Sequence, residues 1–260
     1  MADPIPTPPD SKIPIIAKWH KGEQTGDEFL DKGNNAELRK RTYVTPGGEE
    51  SYAFKESYDN EKEIQRVYRV YKAMADAGLP VVDFLKTMSY RRSPRGVKYG
   101  LAMQDATEGG QYNLVAIMPP AKKRLLADVQ KSDNYDSIAT IASAPHASSL
   151  QRRIAEALAI IHNLGMVDTH GVTNFFLRVD VDDPNNIDFI ILDYANFVNL
   201  NDQTVESNPT PRDFYAERRQ GQGLAELFSG ICDRDSNEFG SLIEYYEAIR
   251  ASRRQKYEGK

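Results

Sequence analysis

The apolar and polar positions divide the chain into a strand-rich first third and a mainly helical remainder. In "AELRKRTYVT" (36–45) polar and apolar residues alternate, "PGGEE" makes a turn, and "SYAFKES" (51–57) forms a second strand, so the stretch predicts a hairpin. In "NEKEIQRVYRVYKAMADAGLP" (60–80), Ile64, Val67, Tyr68, Tyr71 and Met74 recur at helical spacing, and Gly78 and Pro80 stop the run. Two further strands are expected in "VVDFLKTMSY" and "VKYGLAMQDA", joined by the basic turn "RRSPRG". Residues 107–114, "TEGGQYNL", read as a loop between two halves.

Helical periodicity dominates from there. "VAIMPPAKKRLLADVQ" is broken by two prolines, and "SDNYDSIATIASAPHASS" reads as a loop with a short helix. "LQRRIAEALAIIHNLG" (150–165) is a strong amphipathic helix: Leu150, Ile154, Leu158 and Ile161 line one face, and Gly165 caps it. "FFLRVDV", the turn "DDPNN" and the apolar "IDFIILDYANFV" form another hairpin. Two helices, in "GQGLAELFSGIC" and "EFGSLIEYYEAIRAS", close the chain, and "RASRRQKYEGK" reads as a basic, solvated tail. No internal repeat is visible.

Composition narrows the function classes. At 260 residues the chain is long enough for one large domain or two small lobes with a real core. A net charge of −5 argues against a dedicated nucleic-acid binder. The single cysteine, Cys232, rules out an intrachain disulfide and a cysteine-based zinc cluster. No apolar run approaches the roughly 20 residues that span a bilayer. The Pro-rich, acidic start has neither the basic nor the apolar region of a signal peptide, and residues 1 to about 12 read as a flexible tail.

The order of motifs resembles the protein-kinase-like fold over roughly residues 28–250. The resemblance implies an α+β, two-lobed architecture. A small antiparallel β lobe with one main helix (13–105) binds nucleotide, and a reduced, mostly helical lobe (106–260) carries the catalytic-loop hairpin. In "YAFKES", Lys55 is then the lysine that holds nucleotide phosphates, and Glu61 is its partner on the next helix, with Glu63 as the second choice. "KGNNAEL" stands where the family has a glycine-rich loop, with Gly33 but neither later glycine. Backbone groups near Met103, Gln104 and Asp105 would meet adenine. Asp193 in "IILDYANF", with Asp-Tyr-Ala in place of Asp-Phe-Gly, and Asn174 would hold Mg²⁺.

The stretch "GMVDTHGVTNFFL" (165–177) departs from the family's His-x-Asp loop. Counted from Gly165, Asp168 stands at the His position and His170 at the Asp position; counted back from Asn174, the Asp position falls on Thr169. Either the loop is one residue short, or acid and imidazole have exchanged places, with His170 as base and Asp168 orienting it. His162, in contrast, is expected to pack or cap the helix end. The Ala-Pro-Glu motif is missing and the segment after Asp193 is short, as in bacterial effector kinases delivered into host cells.

The resemblance therefore implies an ATP- and Mg²⁺-dependent phosphotransferase acting on a hydroxyl, with a protein as acceptor and binding partner. Its place of action is the cytoplasm, either the cell's own or, for a secreted effector, a host's. A pseudokinase that keeps the fold as a nucleotide- or protein-binding module is the alternative. Adenylyl transfer on the same fold is a third.

Overall fold

A computed structural model describes residues 23–32, 37–45, 48–58, 61–82, 84–93, 96–119, 136–168, 174–199 and 212–258. The calls on the N-terminal tail, on Gly33 and on His170 lie outside these residues. The described chain is a mixed α+β structure with antiparallel sheets and five α-helices.

The first sheet has five strands: β1 (Glu23–Lys32), β2 (Glu37–Thr45), β3 (Gly48–Tyr58), β4 (Phe84–Ser93) and β5 (Gly96–Met103), in the order β1-β2-β3-β5-β4. The expected hairpins appear at β2/β3 and β4/β5, and β1 adds an outer strand that the alternation did not single out. Helix α1 (Glu61–Asp76) runs between β3 and β4 and buries Ile64, Val67, Val70 and Met74 along one face. Each such side chain contributes about 1.5–3 kcal/mol on leaving water.

The segment after α1 connects the first sheet to the second. Ile191 N–H donates to Pro80 O at 2.8 Å, beside a parallel bridge between Val81 and Ile191. The second sheet holds β6 (Tyr112–Ala116), β8 (Phe175–Asp180) and β9 (Ile187–Ile191), with β8 central. Its hairpin β8/β9 is the one the sequence predicts. β6 corrects the expectation of a loop over 107–114, where only a 3-10 turn at Glu108–Gly110 precedes the strand. A two-stranded ribbon, three residues long, pairs β7 (Met166–Asp168) with β10 (Phe197–Asn199).

The helical part packs α2 (Ser137–Ser143), α3 (Ala147–Asn163), α4 (Arg212–Ser229) and α5 (Asn237–Glu258) around one core. α3 is its centre: Leu150, Ile154, Ala155, Ala159 and Ile161 are fully buried. Gly165, at φ 72°, takes the left-handed position that ends the helix, and its N–H donates to His162 O. The end of α4 approaches the strand side closely. A Cβ on Gly230 would meet Met118 backbone atoms at 3.0 Å, and Ser137 Oγ donates to Gly230 O at 2.7 Å. α5 continues to Glu258 and so replaces most of the expected C-terminal tail with helix.

His162 packs in the core, as expected of it. Its Nδ1 lies 2.5 Å from Tyr246 Oη, and Arg250 Nη1 donates to the same hydroxyl at 3.3 Å. Arginine can only donate, so the tyrosine oxygen accepts from Arg250, and the direction of its bond with His162 Nδ1 follows the tautomer of the ring. Burial, helped by the Arg250 charge, lowers the imidazole pKa from its ordinary value to about 3. The folded state therefore holds a neutral ring that the unfolded chain protonates near pH 6.5. Its contribution to stability is complete above the unfolded pKa and is lost as pH falls towards 3. In urea titrations, the parent should lose up to about 1.4 kcal/mol per pH unit more than His162→Gln below about pH 6. Parallel pH profiles for the two proteins would mean that the ring is charged in the fold.

Candidate functional site

The β8/β9 hairpin explains how residues 174 and 193 come together. Phe175 pairs with Ile191, and Leu192 N–H donates to Asn174 O at 2.8 Å, so the ladder continues one step past the strands. Asn174 and Asp193 thus stand at the same end of the hairpin. Asp193 then turns the chain in the left-handed region, φ 55° and ψ 54°, a conformation aspartate tolerates better than most residues. A 3-10 turn, Tyr194–Asn196, leads into β10, where Phe197 pairs with Asp168 of β7. That pairing carries Asp168 to the same place.

Four polar side chains meet there. Asn174 Nδ2 donates to Asp168 Oδ2 at 2.5 Å. Asn196 Nδ2 donates to Asn174 Oδ1 at 2.9 Å and to Asp193 Oδ2 at 2.9 Å. The direction of this chain follows from its ends. Ionised carboxylates only accept, so each amide must turn its nitrogen towards the acid beside it. The Asn174 oxygen is thereby turned towards Asn196 and the Asp193 side. Asn174 is fully buried, so its amide needs these partners.

Two anchors hold the turn against α1. The Tyr194 ring is buried, packs on Tyr71 with centroids 5.5 Å apart, and its Oη accepts from Val82 N–H at 2.8 Å. Arg66 Nη1 donates to Phe197 O at 2.8 Å. Any movement of α1 is therefore passed to Tyr194 and Phe197, on the two sides of the turn that follows Asp193.

Of the residues expected from the sequence, Asp168, Asn174 and Asp193 are brought together. Lys55 lies in β3 with its Cα opposite Leu38 and Leu101, Glu61 is the first residue of α1, and Glu63 follows two places on. Met103 ends β5 half-buried, and Gln104 beside it is exposed. Sequence reasoning missed Asn196. The available signal was its spacing, an amide three residues after an acid in a tight turn.

It also missed Lys40. Cross-strand partners share a face, and Lys40 stands opposite Ala53, which stands opposite Met103. From that face the Lys40 ammonium reaches Asp105 Oδ2 at 3.7 Å. Burial works to raise the Asp105 carboxyl. Hydrogen bonds from the Thr107 hydroxyl and N–H and from Gly109 N–H, with the Lys40 charge, outweigh it and hold the group below the usual carboxylate range.

No family model matches the sequence, and no curated protein matches it. Among solved structures, the one described as WaaP in complex with acyl carrier protein aligns with a TM-score of 0.44 at 11% identity, covering 90% of this chain and 88% of that one. Among the described residues, no helix is long and apolar enough to cross a membrane.

The Tyr194 anchor gives a direct test. Tyr194→Phe removes the acceptor of a buried N–H and should cost about 1–3 kcal/mol. Tyr194→Ala also leaves a cavity and should cost about 3–5 kcal/mol. Urea unfolding measures both. Unchanged midpoints would show that the turn is held by something other than this ring.

Proposed function

We propose that the chain is a kinase-like phosphotransferase that uses ATP and Mg²⁺ and transfers a phosphoryl group to a hydroxyl, with a protein as acceptor. One observation supports this most: the hydrogen-bonded chain Asp168–Asn174–Asn196–Asp193, which gathers two carboxylates and an aimed carbonyl oxygen at the end of one hairpin.

The donor set suits the metal. Among the described residues, no group of three or more His, Cys, Asp or Glu could form an all-protein cage. Mg²⁺ does not ask for one, because it binds through one or two protein oxygens and completes its shell with water and phosphate. Asp193 and Asn174 are the residues that would hold it. When bound, the ion neutralises phosphate charge, most of what phosphoryl transfer requires.

The chain's own residues do the rest in this reading. Lys55, with Glu61 or Glu63 orienting it, holds phosphate oxygens. Gly33 would serve the phosphate-covering segment, and the backbone at Met103 and Gln104 would meet the base. Asp168 is the better candidate for accepting the hydroxyl proton, because its carboxylate is bonded to Asn174 beside the expected phosphate position. This favours Asp168 as base over the exchanged arrangement in which His170 takes the proton.

A second reading, a binding module without transfer, draws on Lys40. A lysine tied to Asp105 occupies the sheet face expected to cover the base, where an apolar side chain would serve adenine better.

A transfer assay with ATP labelled in the γ-phosphate, read as label in protein or in released phosphate, separates the possibilities. Asp168→Asn should slow transfer by about 10²-fold or more while nucleotide binding persists. His170→Ala should have the smaller effect, and Asp193→Asn should remove the Mg²⁺-dependent part of binding. A larger loss from His170→Ala would make the imidazole the base. Binding without transfer in the parent would make the chain a binding module, and transfer of label only when the ATP is labelled instead in the α-phosphate would make it an adenylyl transferase.

A further inference from the structure

We infer that Asn196 holds, with its amide nitrogen, the place a divalent cation takes between Asn174 and Asp193, and that the cation enters by displacing it. The inference rests on the phosphotransferase reading above and adds a control on its metal site.

The geometry is that of a stand-in. One nitrogen, Asn196 Nδ2, is 2.9 Å from Asn174 Oδ1 and 2.9 Å from Asp193 Oδ2. Its two hydrogens carry partial positive charge to the two oxygens that an ion would bridge. An Mg²⁺ ion binds oxygen at about 2.0–2.1 Å, so Asn174 and Asp193 would close in to hold one only once this nitrogen has left the space between them. The amide and the ion cannot both occupy it.

The arrangement also ties the four side chains to one another. Asn174 is fully buried, and its carbonyl would lose a donor if Asn196 were absent. Asp168 holds the other end of the Asn174 amide, so its oxygen remains aimed when Asn196 swings aside. Asn196 sits in a short turn between two anchored residues, Tyr194 and Phe197, so its side chain can rotate while the backbone keeps its place. The stand-in is neutral and meets these two oxygens through ordinary hydrogen bonds, a small competitor for a divalent ion. It weakens cation binding without abolishing it.

The test is a Mn²⁺ titration of the full chain, following free Mn²⁺ by electron paramagnetic resonance, without nucleotide and then with ATP. Asn196→Ala should melt lower than the parent without metal, yet bind Mn²⁺ about tenfold more tightly, since the two net hydrogen bonds it removes no longer compete. Asn196→Ser, with a side chain suited to turns, should shift in the same direction and keeps the test available if the alanine variant fails to fold. Equal or weaker Mn²⁺ binding in the variants, with binding by the parent intact, would overturn this inference alone and make Asn196 a positioning residue for the two ligands. Failure of parent and variants alike to bind Mn²⁺, with ATP or without, would overturn the metal-dependent reading of the site and this inference with it.

Discussion

The hydrogen bond from Val82 N–H to the Tyr194 hydroxyl is the tie on which the rest of the site depends. Asp193 precedes that tyrosine and adopts a left-handed backbone, at a cost of about 1–3 kcal/mol for a residue other than glycine. A buried aromatic ring removes roughly 150–250 Å² from water, worth about 4–6 kcal/mol at 25 cal/mol/Å². Burial of Tyr194 against Tyr71 therefore outweighs the strain next to it. The turn points the Asp193 carboxylate at the end of the hairpin because the following ring is held in the core. Helix α1 supplies the ring's neighbour and, through Arg66, a second tie on the far side of the turn.

Within that frame the polar side chains leave one another little choice. Two carboxylates terminate the chain, and two amides lie between them. Acceptors at both ends fix which way each amide faces, so the order of donors is set by chemistry and not by packing alone. Hydrogen bonds in such a partly buried group are stronger than in water, and the cost of leaving its buried member, Asn174, unpaired is correspondingly high. The same reasoning accounts for His162. Buried beside Tyr246 and Arg250, it serves the fold as a neutral ring and has no part in the site.

Much of this was legible in the sequence, and the exceptions have physical reasons. Helices α1 and α3 declare themselves because one apolar stripe faces one core. The β8/β9 hairpin is readable from "FFLRV", "DDPNN" and "IDFII". Asp168, Asn174 and Asp193 could be selected by motif order. Their meeting depends on hairpin register and on the three-residue pairing of β7 with β10, which is too short to leave a periodic signal. β6 follows two glycines and resembles a loop, yet its backbone finds a full partner in β8. The last turns of α5 carry "RRQKYE", with no apolar stripe, so a solvated tail was the natural expectation. Alternation along β2 marked a strand but could not say that Lys40 shares a face with Ala53 and Met103. Asn196 was hidden because it stands one residue beyond Asp-Tyr-Ala.

The central claim is that the end of the β8/β9 hairpin is a cation and nucleotide site built from Asp193 and Asn174. A crystal structure of the full chain grown with Mn²⁺ and a non-hydrolysable ATP analogue tests it most directly, because anomalous scattering locates the ion independently of the protein. The account predicts an anomalous peak bonded to Asp193 Oδ2 and Asn174 Oδ1, with Asn196 turned away and phosphate oxygens completing the shell. A nucleotide bound with the ion elsewhere, and the Asn196 amide still joining the two residues, would contradict it.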